Sequence, residues 1–149
     1  KVMDDVKSVN TGYHSSYVLK TDNSLWVAGN NDYGQLGKGD KDWSNIFVKM
    51  MDDVLDLSCS TTAVHILKND HTLWACGSGS SGELGDGTFS EKLSPVKIKD
   101  DVKSVSAGGS HTLIMLNDNT VWATGFNDNG ELANQTATNS NVYVKMLFE

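Results

Sequence analysis

The chain repeats itself every 48 residues, and no other feature narrows its fold so sharply. Trp26, Trp74 and Trp122 stand 48 apart, as do Gly29, Gly77 and Gly125, Gly34, Gly82 and Gly130, and Leu36, Leu84 and Leu132. Asp-Asp-Val recurs at 4, 52 and 100, and Val48-Lys49, Val96-Lys97 and Val144-Lys145 keep the same register. Three copies therefore align without insertion or deletion, at about 4–51, 52–99 and 100–147, and fill 144 of the 149 residues. Lys1-Val2-Met3 matches Lys49-Met50-Met51, so the phase suggests the tail of a preceding unit and, with no Met at position 1, a piece of a longer protein.

Each unit reads as short strands punctuated by turn residues, with no helical period. Val102 to Ala107 alternates apolar and polar, with Val102, Val105 and Ala107 set against Lys103, Ser104 and Ser106. His111 to Leu116 runs into a tight turn at Asn117-Asp118-Asn119, and Thr120 to Thr124 forms a third strand. That turn recurs as Asp22-Asn23, Asp70-His71 and Asp118-Asn119. Asn tolerates the left-handed backbone that two-residue hairpins demand, and His71 fits it less well. A fourth, outer strand is expected around Phe47 to Met50, Pro95 to Ile98 and Tyr143 to Met146, where Pro95 at a strand start suits an edge. Four antiparallel strands per unit at this period describe a propeller blade, so the expected fold is all-β, three four-stranded antiparallel blades of a β-propeller.

The segments AGNNDYGQLGKG from Ala28, CGSGSSGELGDG from Cys76 and TGFNDNGELANQ from Thr124 follow Leu-Trp or Val-Trp in every copy. They resemble the signature of regulator of chromosome condensation repeats, and SAGGSHTLIMLNDNTVWATG from Ser106 is similar to the rest of that repeat. The resemblance covers essentially the whole chain. It implies blades of a seven-bladed propeller running outward from a central channel, so three units form a partial ring, or one closed by homo-oligomerisation. The third copy departs from the pattern: Ala133 and Gln135 replace Gly37, Gly39, Gly85 and Gly87, which puts the tightness of its last loop in question.

Several motifs yield to plainer readings. GSGSSG from Gly77 matches a dinucleotide fingerprint by letter, but it is followed by Glu-Leu-Gly-Asp-Gly rather than a helix whose N-terminus could meet a pyrophosphate. Asn127, Asp128, Asn129 and Glu131 resemble a calcium loop, yet no acid stands at its twelfth position and copy two carries serines, Ser78, Ser80 and Ser81, along the same loop. Polar turn residues are the better reading, with a weak cation site in copy three as the alternative. His14, His65, His71 and His111 fall at four different phases, and there is no nucleophile elbow. His111 is expected to bond backbone at a blade corner. The Asp52-Asp53 and Asp100-Asp101 pairs recur as structural positions do, so no enzyme and no cofactor are expected. Cys59 and Cys76 belong to the first and third strands of one blade, roughly 9 to 10 Å apart. A disulfide needs Cα atoms within ~7 Å, so both read as small buried residues.

Positions that recur build the frame of a repeat protein, and positions that differ on loops are free to specify a partner. The differing aromatics are Tyr13, Tyr33, Trp43, Phe89 and Phe126, with Asp32, Asp42 and Asp128 beside them. Aromatics dominate contact patches, so Tyr13, Asp32, Tyr33, Trp43, Phe89, Phe126 and Asp128 form the expected partner-binding set. An apolar fraction of 38% can build a core. Twelve lysines, no arginine and a net charge of −7 disfavour nucleic acid and anionic membrane as partners. No apolar run of ~18 residues could span a bilayer as a helix.

The function expected is non-enzymatic binding of a protein partner, with carbohydrate or cell-wall binding, or a purely architectural repeat, as alternatives. The family resemblance also implies nucleotide exchange on a small GTPase with chromatin binding, or inhibition of β-lactamases by secreted bacterial members. The first fits poorly with the missing arginine and the absence of any insertion, and neither transfers residue by residue. Richness in Asn, Lys and Asp without Arg suggests a bacterial origin, extracellular or at the cell surface.

Overall fold

The computed structural model describes residues 4–148, and the Lys1-Val2-Met3 match to a preceding unit lies outside them. Twelve strands are present and no helix is found among the described residues. The first unit supplies β1 (Val6–Thr11), β2 (Ser15–Lys20), β3 (Leu25–Gly29) and β4 (Ser44–Met51). The second supplies β5 (Val54–Cys59), β6 (Ala63–Lys68), β7 (Leu73–Gly77) and β8 (Lys92–Lys99). The third supplies β9 (Val102–Ala107), β10 (His111–Leu116), β11 (Val121–Gly125) and β12 (Ser140–Lys145). Each set forms its own four-stranded antiparallel sheet in chain order, so each unit is one blade.

The hairpin between second and third strands is built the same way three times. Asn23, His71 and Asn119 carry φ of 64°, 63° and 66°, the left-handed turn expected of them. His71 adds a cross-blade contact, its Nδ1–H donating to Val102 O at 3.2 Å. Asp5, Asp53 and Asp101 take φ near +60° at the entry to the first strand of each blade, a backbone that Asp tolerates, which accounts for the second Asp of the recurring pair.

Two features correct the sequence reading. Val102 and Val105 are an odd number of residues apart and would face opposite sides of a regular strand, yet both pack into one cluster with Leu67, Leu73 and Ile114. A bulge between Val102 and Ser104 resets the alternation. The outer strands are also longer than expected and begin earlier. Pro95 is therefore not at the start of β8 but in an irregular stretch where Lys92 to Val96 spans only Gly77 to Ala75 on β7. On this edge strand its missing N–H leaves no ladder bond unmade.

The core lies between blades. Tyr17, Leu19, Leu25 and Val27 of the first blade pack against Val54, Leu57, Val64 and Ile66 of the second. The central blade is covered on both faces, so β6 is buried along nearly its whole length, whereas β10 buries only Thr112 and Ile114 and leaves its other residues half-exposed. Loops lock each junction. Gly39 N–H donates to Leu93 O at 2.9 Å, and one blade later Gly87 N–H donates to Asn141 O at 2.8 Å. The approach is close enough that a Cβ on Gly85 would collide with the Tyr143 ring. In the third blade Ala133 and Gln135 keep the loop tight all the same, with φ of 42° and 63° and Ala133 N–H donating to Gly130 O at 3.0 Å.

Cys59 and Cys76 are free thiols, paired from opposite sides to Val64. Burial pushes the Cys59 thiol up to about 12 and the Cys76 thiol higher still.

Candidate functional site

In an antiparallel four-stranded blade the loop joining strands one and two and the loop joining strands three and four emerge at the same end. Tyr13 sits on the β1–β2 loop, and Asp32, Tyr33 and Trp43 on the β3–β4 loop. Phe89 sits on the β7–β8 loop, Phe126 and Asp128 on the β11–β12 loop. All seven expected partner residues therefore lie at one end of the blades. Six are exposed; Phe126 is half-buried, which corrects its expected full exposure.

Three of the seven meet in one cleft. Tyr13, Asp32 and Tyr33, with His14, Asn30 and Gln35 of the same blade and Thr61 and Thr62 of the next, line a cavity of about 320 Å³. Trp43, Phe89, Phe126 and Asp128 stand outside that lining. The loops of Trp43 and Phe89 are tied by the Lys41–Glu91 ion pair at 2.6 Å.

The cleft rests on scaffold that recurs. Gln35 Oε1 accepts from Tyr33 N–H at 3.0 Å, as Glu83 accepts from Ser81 N–H and Glu131 from Asn129 N–H. The Asn129 contacts hold the Glu131 carboxyl below the usual range. Gln35 Nε2 also donates to Asn30 Oδ1 at 2.7 Å, and that oxygen accepts from Asp32 N–H at 3.2 Å. Asn30 Nδ2 in turn donates to Asp32 Oδ2 at 2.8 Å, so the carboxylate is oriented from below. On the far wall Tyr13 N–H donates to Thr61 O at 3.3 Å, and the Tyr13 ring leans on His14 with centroids 4.0 Å apart. The same phases at the next junction are Thr61, Thr62, Ser78, Ser80, Ser81, Glu83, Gly109 and Ser110, none of them aromatic.

Sequence reasoning missed Thr61 and Thr62. Same-phase residues of consecutive units become neighbours around a propeller, so Tyr13 and Thr61, 48 apart, were available as a pair. It also missed a relay under each tryptophan. Trp26, Trp74 and Trp122 donate Nε1–H to Ser24, Thr72 and Thr120 hydroxyls, each at 2.9 Å. Those hydroxyls donate to Asp22, Asp70 and Asp118 at 2.6 Å. The spacing Asp-x-Ser/Thr-x-Trp is the signal that was there to read.

The residues weighed for other chemistry are committed to structure. Asn127 is buried, with Oδ1 accepting from Leu132 N–H and Nδ2 donating to Thr136 O, both at 2.9 Å, as Asn31 braces the first loop. His111 closes the β9–β10 corner through its main chain, accepting from Gly108 N–H at 2.8 Å, while its ring lies against Gly108.

Comparisons with known proteins place this architecture. Two profiles of the Regulator of chromosome condensation (RCC1) repeat match, one over residues 6–35 and 102–131 and one over 70–115, together more than half of the chain. No curated protein matches by sequence. Solved structures that resemble it include yeast RCC1 (Prp20) bound to Kap60, at 21% identity and TM-score 0.86, covering 97% of this chain and 37% of that one. Prp20p from Saccharomyces cerevisiae, described with its binding to Gsp1p and histones, gives the same identity and TM-score over 97% of this chain and 39% of that one. Human WBSCR16 shares 18% identity at TM-score 0.85, covering 99% of this chain and 39% of its own. The chain spans about two fifths of the length of these structures, and at such identity they speak to fold alone. Its three-fold internal repeat, the matching profiles and the superposable blades make the chain a member of the Regulator of chromosome condensation (RCC1) repeat family, folded as three blades of its β-propeller.

Proposed function

We propose that the chain is a non-enzymatic interaction module that holds a protein partner with the loop end of its blades. One observation carries this reading: every non-recurring aromatic singled out in the sequence lies at that end, and Tyr13 and Tyr33 share a cleft there with Asp32. The yeast structures, described with Kap60 and with Gsp1p and histones, support use of such a propeller for protein binding. An arginine-free, asparagine- and lysine-rich composition favours a bacterial source and an extracellular or cell-surface setting.

The test is affinity capture by the wild-type chain, by Tyr33→Ala and Trp43→Ala, and by Asn119→Ala at the opposite end of the blades. Capture that survives Asn119→Ala and is lost in the two loop variants supports the module. Capture indifferent to both loop variants sinks it and leaves an architectural repeat. Binding on a glycan array, abolished by Tyr33→Ala with no protein captured, would transfer the same surface to carbohydrate recognition.

A further inference from the structure

We propose that the cleft between the first and second blades receives the cationic end of a basic side chain, an ammonium or guanidinium group presented by the partner. The inference rests on the protein-binding reading above and names the chemistry its central pocket selects.

The cleft combines two exposed phenol rings with one oriented carboxylate. Tyr13 is 71% and Tyr33 44% exposed, so both offer ring surface to a ligand. A cation over an aromatic face is attracted by the ring quadrupole, and guanidinium and ammonium are the protein groups that use it. Asp32 supplies the counter-charge: Asn30 holds Oδ2, and Oδ1 has no side-chain or backbone donor among the described residues. Among the described residues no lysine lines the cleft, and the lysines that follow Gln35 in the chain are engaged elsewhere, Lys38 with Asp40 at 3.3 Å and Lys41 with Glu91 at 2.6 Å. A cation entering therefore displaces none of the described lysines. Thr61 and Thr62 add polar groups opposite Asp32.

Size and charge point the same way. About 320 Å³ lies at the lower end of small-ligand clefts and suits one long side chain rather than a folded segment. The net charge of −7 steers a basic partner towards the chain. At the second junction the two tyrosine positions hold Thr61 and Ser81, and Gly109 stands where Thr61 stands at the first, so this chemistry is confined to the first.

The experiment is a heteronuclear NMR titration of the full chain with Nα-acetyl-lysine methylamide and Nα-acetyl-arginine methylamide, with the norleucine analogue as the uncharged control. The basic amides should move the backbone resonances of Tyr13, Asp32, Tyr33 and Thr61 and weaken with added salt, while norleucine leaves them in place. Asp32→Asn, whose spectrum should otherwise match wild type, should lower the apparent affinity about fivefold, the order expected of one part-exposed charge pair. The proposal is overturned if norleucine shifts these resonances as much as lysine, if Asp32→Asn binds equally well, or if a chitin oligosaccharide moves them and the basic amides do not. It is overturned equally if nothing moves up to about 50 mM, where a ring contact and a charge pair worth about 2 kcal/mol together would fill more than half of the sites. Silent basic amides alongside partner capture that still needs Tyr33 and Trp43 would sink this inference and leave the module standing; loss of both results would remove both.

Discussion

Tyr17 and His65 occupy the same phase of adjacent repeats and make the same hydrogen bond: Tyr17 Oη donates to Gln35 O, and His65 Nε2–H to Glu83 O, both at 3.0 Å. Two different side chains thus satisfy one buried carbonyl of the loop that joins third and fourth strands. Thr112 of the third blade donates to the same Glu83 oxygen at 2.9 Å, so His65 stands at a blade junction. Its Nδ1 is buried with no hydrogen-bond partner among the described residues.

That arrangement makes the fold acid-sensitive. Burial lowers the His65 pKa from 6.5 to about 4, so between these values the unfolded chain binds the proton and the folded chain does not. Stability is then lost as pH falls through this window. Urea denaturation of wild type at pH 4.5 should show a loss of roughly 2 to 3 kcal/mol relative to pH 7 from this group. His65→Gln, which keeps a donor and does not titrate, should remove that part of the loss; an unchanged pH profile would refute the assignment.

A second acid step belongs to the tryptophan relays. Hydrogen bonds from Ser24, Thr72 and Thr120 hold the Asp22, Asp70 and Asp118 carboxyls below their usual range. Their contribution is present above the ordinary carboxylate pKa and lost as pH falls through the depressed folded values, below the His65 window. Thr72→Val removes the hydroxyl linking Asp70 to Trp74, and thermal denaturation at pH 7 should show a loss of about 1 to 2 kcal/mol. A shift no larger than that of an exposed control substitution would show the relay to be incidental.

Gly85→Ala and Gly87→Ala separate backbone strain from steric collision. Both residues have left-handed φ, 74° and 84°, but a Cβ at Gly87 meets open space and one at Gly85 meets the Tyr143 ring. Gly87→Ala should cost about 1 kcal/mol, and Gly85→Ala at least about 1 kcal/mol more through the disturbed junction. Conversely Ala133→Gly should stabilise by a few tenths to about 1 kcal/mol by relieving φ of 42°. Chemical denaturation of the three variants would check this, and equal losses at Gly85 and Gly87 would contradict the packing account.

The first blade carries an unmatched flank. Val9 is 70% exposed while Leu57, its equivalent in the second blade, is 4% exposed against a neighbouring blade; Val6 and Val54 differ in the same sense. Sedimentation over a range of concentrations should therefore show self-association, weakened by Val9→Lys. A strict monomer at all concentrations would mean that this flank has no partner in a second copy.

The 48-residue period, read from Trp26, Trp74 and Trp122 and their flanking glycines, was sufficient to determine three units, the strand content and the hairpin turns at Asn23, His71 and Asn119. These depend on local backbone preference and on packing that recurs identically. The sequence was equally sufficient to separate recurring frame from varying loops, which is how Tyr13, Asp32 and Tyr33 were singled out. It could not show the bulge that brings Val102 and Val105 to one face, nor the place of Pro95 within β8, because both follow from pairing with a neighbouring strand. Nor could composition separate the cleft trio from Trp43, Phe89 and Asp128, or show that Phe126 is half-buried. Only the tertiary structure decided that, because the far wall of the cleft is Thr61 and Thr62, and the contact between blades that sets them beside Tyr13 exists only once the sheets have stacked.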